Sequence, residues 1–320
     1  MARGREEKDD VSLLKLGVLP IALSLGLLAA IAAFVDIGAV WTALSAVSIR
    51  ALGAAFVVVQ LQILLSALRW RFTARRLNLD LPLGEALHEY YIGSSLNQIL
   101  PGGVAGDVVR AYRQRQAGPS GWKRPASAIV LERVSGQLAF VLLIGLGLFA
   151  WPLVLAERLP VGATEIALIV AGFLSVASGA CFAVFRKSTS SRLSGMREDL
   201  LEVFWHRKAL AVQVGLSSLI VLTYVMTFAI ASHAVGAPLS VIACITIVPL
   251  SLLTMLIPAS VGGWGTREMA AAALWPIFGY SPEQGVAASL LYGIFSLVSG
   301  GFPALVLMIC DVWRGRLGKT

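Results

Sequence analysis

The sequence is poor in charge. Asp, Glu, Lys and Arg together make up 14% of it and 57% of its residues are hydrophobic, whereas a soluble domain carries about a quarter charged residues. That balance excludes an ordinary water-soluble globule and fits a polytopic membrane protein, in line with a mean hydropathy of +0.80. Cysteine is scarce too. Cys181, Cys244 and Cys310 each fall within an apolar run, which supplies neither a disulfide framework nor a metal site. Catalytic signatures are missing: there is no Ser/His/Asp arrangement, no H-E-x-x-H, no Walker loop and no dinucleotide fingerprint. No catalytic residue, metal or cofactor is therefore expected. Transport without an ATPase motif would need an ion gradient, a substrate gradient or a separate engine.

What the sequence does have is long apolar runs. Spans are expected near 15–35, 50–68, 126–150, 164–185, 209–234 and 285–310, each about 19–26 residues and long enough to cross a bilayer. The first follows a polar stretch, Met1 to Asp10, and is read as a retained span. Its apolar run from Leu16 to Val35 is longer than the h-region of a cleaved signal peptide. The net charge of +8 sits in short clusters between the spans. That is the pattern of positive-inside loops and not a nucleic-acid surface, so no nucleic-acid partner is expected.

Two apolar regions, 84–116 and 239–279, are interrupted. The first reads Asn97-Gln98-Ile99-Leu100-Pro101-Gly102-Gly103, then Gly106-Asp107 and Arg110; the second reads Pro258-Ala259-Ser260-Val261-Gly262-Gly263-Trp264-Gly265-Thr266-Arg267-Glu268. Proline and paired glycines stop a helix. Matching Gly/Pro interruptions in two halves of a chain point to a transporter binding site.

Loop charges set the orientation. Arg69, Arg71, Arg75 and Arg76 follow the second span; Arg110, Arg113, Arg115, Lys123 and Arg124 precede the third. Further basic clusters, Arg186 to Lys208 and Arg314 to Lys319, belong on the same side, the cytoplasm, with both termini. Segment 84–100 must then enter and return as a re-entrant hairpin turning at Pro101-Gly102-Gly103. By the same logic 239–279 starts and finishes outside, with its turn at Pro258 to Gly265. The expected fold is an all-α polytopic membrane protein, a single domain over 1–320, with about six full spans and two re-entrant hairpins. Residues 15–150 and 164–310 would form an inverted-topology repeat of span, span, hairpin, span. The turns, reaching in from opposite faces, would meet near the midplane. Residues 188–208 read as an amphipathic linker lying at the headgroups or as an ordinary linker helix.

A charge inside a membrane is a functional hypothesis by default. Asp107 and Arg110 share a helix face at i,i+3; Arg267 and Glu268 open the returning arm of the second hairpin; Glu132 and Arg133 lie within the third span. Each has a structural reading beside it. Asp107–Arg110 could lock the hairpin, and Glu132 could pair Arg133 or a hairpin arginine. His88 and His233 read as interface residues; Tyr90, Tyr91, Trp264 and Trp275 as aromatic-belt anchors, although Trp264 between glycines fits that less well. The functional reading is anion binding. The N-terminus of each returning half-helix offers N–H groups and a positive dipole end, with Arg110 and Arg267 nearby to grip a phosphate.

At these residues the sequence resembles the lysylphosphatidylglycerol synthase transmembrane-region (flippase-like) family. The matching pieces are Asn97 with Pro101-Gly102-Gly103, Gly106-Asp107 and Arg110, then Glu132-Arg133, then Gly262-Gly263-Trp264 with Arg267-Glu268. The resemblance covers essentially the whole chain. It implies movement of a phospholipid or a lipid-carried sugar between leaflets. The synthases carry a soluble aminoacyl-transferase domain after the membrane region; this sequence stops shortly after its last span, so lipid aminoacylation is not expected. The expected function is a flippase-like transporter of the cytoplasmic membrane, handling an anionic phospholipid or a polyprenyl-phosphate-linked glycan. The alternatives are a lipid-presenting partner of a membrane glycosyltransferase or synthase, and a membrane enzyme acting on a lipid phosphate. The expected partners are a lipid with an anionic headgroup and a lipid-modifying enzyme or glycosyltransferase.

Overall fold

The computed structural model describes residues 3–101, 103–115, 121–154, 172, 191–256 and 260–313. Among them are eleven α-helices: α1 (Arg3–Phe34), α2 (Ile37–Ser45), α3 (Ile49–Arg76), α4 (Leu83–Ile99), α5 (Ala105–Arg113), α6 (Lys123–Val154), α7 (Ser191–Phe204), α8 (Ala209–Ala234), α9 (Val241–Leu253), α10 (Thr266–Leu274) and α11 (Pro282–Trp313). Four of these, α3, α6, α8 and α11, contain apolar windows long enough to cross a membrane. Apart from residue 172, the expected span near 164–185, with Cys181, lies outside the described residues, as do Gly102 and Pro258.

The first span differs from its expected form. α1 does not simply end: Asp36 starts a new helix by accepting hydrogen bonds from Gly38 N (2.8 Å) and Ala39 N (3.2 Å). α2 then leaves at 98° to α1. The second span differs at its other end. α3 continues for two turns beyond residue 68, and Arg69, expected in a cytoplasmic loop, is buried. The apolar stripe of α3, with Val59, Ile63, Ala67, Trp70 and Ala74 inward, carries Arg69 into the interior with it.

α4 and α5 form an antiparallel hairpin. Gln114 Nε2 donates to Glu85 Oε1 (2.7 Å) at its open end, Arg113 Nε pairs Glu89 Oε1 (3.0 Å), and Asn97 meets Gly106 and Asp107 near the tip. A Cβ on Gly106 would overlap the backbone of Gly93, so only glycine permits this approach. The second break joins α9 to α10, with Gly262, Gly263 and Gly265 all at positive φ. The open end of this unit is tied together as well: Tyr280 Oη donates to the Pro238 carbonyl, and Gln284 Nε2 donates to the Gly236 carbonyl (3.2 Å).

α11 orders these two units. Its Glu283 end lies with Asp36 and the open end of the second unit. Its Asp311 end pairs with Arg113 at the open end of the first. With 32 residues it spans about 48 Å, so the open ends of the two units lie at opposite ends of α11. Their tips meet: Pro101 and Val261 form an isolated antiparallel bridge, and Gly262 sits against the Gln98 backbone. α1 braces the junction, where Ser24 Oγ accepts from Val261 N (2.9 Å).

α7 occupies part of the expected linker. Val203 and Phe204 are buried in an apolar cluster with Trp70, Ala74 and Ile129, so the helix is docked on α3 and α6. Asp199 faces Arg124 and Ser127 of α6, while partial burial pushes its carboxyl up from its ordinary value.

Candidate functional site

The tips border a cavity of about 230 Å³ lined from α3, α4, α5, α6, α8, α9, α10, α11 and both breaks. Four arginines reach its wall: Arg69, Arg110, Arg133 and Arg267. Two carboxylates, Asp107 and Glu132, line it with them. Three of the arginines are seated against a glycine of a neighbouring element. Arg110 lies over Gly93, Arg69 over Gly136 and Arg267 over Gly293, and a Cβ at any of these glycines would collide with the guanidinium or its stem.

The ion pairs cross between helices. Arg69 Nη2 lies 2.5 Å from Glu132 Oε1, and its Nη1 donates to Ser217 Oγ (3.0 Å). Asp107 serves two cations: Arg110 Nη2 at 2.6 Å on Oδ1 and Arg133 Nη2 at 2.6 Å on Oδ2. Glu132 and Arg133 therefore do not pair with each other; as sequence neighbours on a helix they point to different sides, each toward another helix. Arg267 is held by Glu268 Oε1 (2.7 Å) and Ser289 Oγ (2.8 Å), with its guanidinium between Trp264 (5.2 Å) and Tyr292 (4.9 Å).

Arg110 is the least satisfied of the four. Its guanidinium is stacked between the rings of Trp70 and Tyr90, each centroid 4.6 Å away. One amine is committed to Asp107, with Glu132 Oε2 at 3.8 Å. Its Nε and Nη1 are buried without a hydrogen-bond partner, although the residue is only 2% exposed. A buried N–H left unpaired costs about 1–3 kcal/mol, so Arg110 holds hydrogen-bonding capacity that the described residues do not use.

The half-helix ends behave differently from expectation. Asn97 Oδ1 accepts from Gly106 N (2.8 Å) at the start of α5, and Asp107 sits in the same first turn. Glu268 Oε2 accepts from Gly265 N (2.7 Å) at the start of α10. Side chains of the chain itself take N–H groups that a ligand was expected to use. The dipole ends are screened by Asp107 and Glu268, and the positive charge facing the cavity comes from guanidiniums. Among the described residues no group of three His, Cys, Asp or Glu side chains is arranged to hold a metal.

The family model for the lysylphosphatidylglycerol synthase TM region matches residues 17–303. The chain belongs to that family. No curated protein matches it at a significant level.

In this lysylphosphatidylglycerol synthase TM-region chain, the cavity collects Asn97, Gly103, Asp107, Arg110, Glu132, Arg133, Gly262 and Arg267 from the sequence-expected set. Pro101 forms the bridge to Val261, Gly263 packs over Met255, and Trp264 and Glu268 position Arg267. Three aromatic assignments change. Tyr90 stacks on Arg110 inside the protein, Tyr91 Oη donates to Gln60, and Trp275 is fully buried with its Nε1 donating to Ser232 Oγ (3.0 Å), so none of them serves only as a belt anchor. The residues that sequence reasoning passed over are Arg69, Trp70, Tyr224 and Tyr292. The signal for Arg69 was its place on the inward stripe of α3, which the positive-inside reading overrode.

Proposed function

We propose that the chain moves a lipid with an anionic headgroup, either an anionic phospholipid or a polyprenyl-phosphate-linked glycan, between the leaflets of the cytoplasmic membrane. The observation that carries this reading is Arg110: a buried guanidinium, fixed by two aromatic rings, with two N–H groups unpaired beside a cavity that three further arginines line. A phosphate offers the acceptors those groups lack, and guanidinium matches its geometry. The cavity is far smaller than a whole lipid, so it would take the headgroup phosphate while the acyl or prenyl chains stay in the bilayer.

The membrane arrangement belongs to the same reading. α4–α5 and α9–α10 act as re-entrant hairpins of an inverted repeat, 15–150 and 164–310, with both termini in the cytoplasm. Their entry from opposite ends of α11 supports it, as does the position of Arg113 and Arg115 at the open end of the first hairpin. Non-helical backbone at the tips is tolerated because it is buried against protein.

Native mass spectrometry of the protein purified from its membrane tests the reading. A co-purifying phosphate-bearing anionic lipid, depleted in Arg110→Gln, is the expected result. Retention of only zwitterionic lipid, unchanged in Arg110→Gln, counts against it. Bound anionic lipid without translocation would favour a lipid-presenting partner of a membrane enzyme, and turnover of the lipid phosphate would favour an enzyme.

A further inference from the structure

A second cluster of titratable side chains lies outside the cavity, where α11 meets the open end of the first hairpin. His88 and Glu89 of α4, Arg113 of α5 and Asp311 of α11 converge there. His88 Nδ1 is 3.2 Å from Glu89 Oε1, and its Nε2 is 3.1 Å from Asp311 Oδ2. Arg113 bridges the same two carboxylates, Nε at 3.0 Å from Glu89 and Nη2 at 3.0 Å from Asp311. Both carboxylates are closed off, Glu89 at 3% and Asp311 at 2% exposure, and Glu89 Oε2 is buried with no hydrogen-bond partner. The His88 side chain keeps 19% of its surface open.

Counting donors defines what the cluster holds. A neutral imidazole has one N–H, and an ionised carboxylate has none. With a carboxylate oxygen against each ring nitrogen, one contact sets lone pair against lone pair unless an additional proton is present. With that proton, two cations balance two carboxylates. Without it, one buried negative charge stands uncompensated, which is costly at such burial. Among the described residues, no cation other than His88 and Arg113 is paired with either carboxylate. The groups acting on Glu89 are Arg113, His88 and Asp311. Glu85 is taken by Gln114, and Arg110 by Asp107. On α3, Arg69 is paired with Glu132 and Arg76 with the Glu202 carboxylate, while Arg71 donates to the Leu81 carbonyl.

We propose that this cluster is a proton-binding site that couples lipid translocation to pH, an inference that rests on the flippase reading. The proton binds from solution through the open edge of the His88 ring and leaves by the same edge; no other bond is made or broken. Its effect reaches the substrate site through the hairpin. Arg113 lies one turn from Arg110 on α5, and Glu89 adjoins Tyr90, whose ring stacks on Arg110. Loss of the proton weakens the clasp between α11 and the hairpin that carries Arg110. Imidazole is the side chain whose ordinary charge change falls between about pH 5 and 8, the range in which a membrane pH gradient acts.

The test uses the full-length protein in proteoliposomes containing phosphatidylglycerol, with a fluorescent phosphatidylglycerol as the translocated probe. Rates are measured from pH 5 to pH 8, together with thermal unfolding in detergent over the same range, for wild type, His88→Gln, Asp311→Asn and His206→Gln. The wild-type rate should change with pH, by at most about tenfold per unit for one obligatory proton, and the unfolding midpoint should fall as pH rises. His88→Gln and Asp311→Asn should flatten both responses, and His206→Gln should leave both intact. The same pH response in His88→Gln as in wild type, in both measurements, overturns the proposal; if His88→Gln does not fold, an unchanged response in Asp311→Asn does so. A wild type that translocates no lipid at any pH sinks the flippase reading alone. The unfolding profiles then still decide the proton site, for or against, by whether the pH-dependent part disappears in His88→Gln.

Discussion

Arg133 Nη2 lies 2.6 Å from Asp107 Oδ2, on another helix, although Arg133 adjoins Glu132 in the chain. The same carboxylate holds Arg110 through its other oxygen, so Asp107 is shared and the two arginines are not equivalent. Arg133 keeps 38% of its side chain open while Arg110 is enclosed. Removing the carboxylate should therefore be worse for the fold than removing Arg110. Asp107→Asn strands two cations and is expected to cost about 3–5 kcal/mol, the range for breaking a buried ion pair. Arg110→Gln leaves Asp107 paired to Arg133 and should cost clearly less. Thermal unfolding of the two variants in detergent checks the order, and the reverse order would mean that Asp107 depends on Arg110 alone.

The hairpin rests on the contact between Gly93 and Gly106. A methyl group on Gly106 meets the Gly93 carbonyl and has nowhere to go, since both neighbours are backbone. Gly106→Ala should lower stability by at least about 1–3 kcal/mol, the usual range for overpacking. Gly145→Ala on α6 faces open space and should be neutral or slightly stabilising, as alanine favours helix. Equal melting temperatures for the two variants would show that the hairpin does not close as described.

Topology can be read by labelling. In a background without the native cysteines, single cysteines at the exposed positions Arg75 and Arg115 should react with an impermeant thiol reagent from the same side of the membrane. The tie between Gln114 and Glu85 places the two ends of the hairpin together. Labelling from opposite sides would make residues 83–113 a full crossing and remove the inverted repeat.

The long helices were legible because their apolar runs leave a membrane chain no other option. The breaks were legible because proline and paired glycine have few other uses there. Arg69 was not. It ends an apolar run and reads as loop charge, and only the three-dimensional fold brings Glu132 and Ser217 to it. The capping of α5 by Asn97 and of α10 by Glu268 was hidden for a similar reason. Both residues were singled out as ligand contacts, but the geometry of the turns decides that their acceptors face N–H groups of the chain itself. The bend at Asp36 was present as an Asx cap and was masked by the apolar residues on either side of it.

The most direct test of the central claim is translocation of fluorescent phosphatidylglycerol in proteoliposomes by wild type, Arg110→Gln, Arg267→Gln and the double variant, with unfolding midpoints measured beside it. Each hydrogen bond to a charged group contributes about 1.5–3 kcal/mol. The account predicts that Arg110→Gln lowers the apparent affinity for lipid about tenfold to a hundredfold with little loss of stability. Arg267 already satisfies Glu268 and Ser289, so its loss should reduce stability as well as transport. The double variant should lose less than the sum of the two, because both arginines line one cavity. Undiminished translocation in a folded Arg110→Gln protein would contradict the account, because the unpaired N–H groups of its guanidinium would then have no part in holding the headgroup.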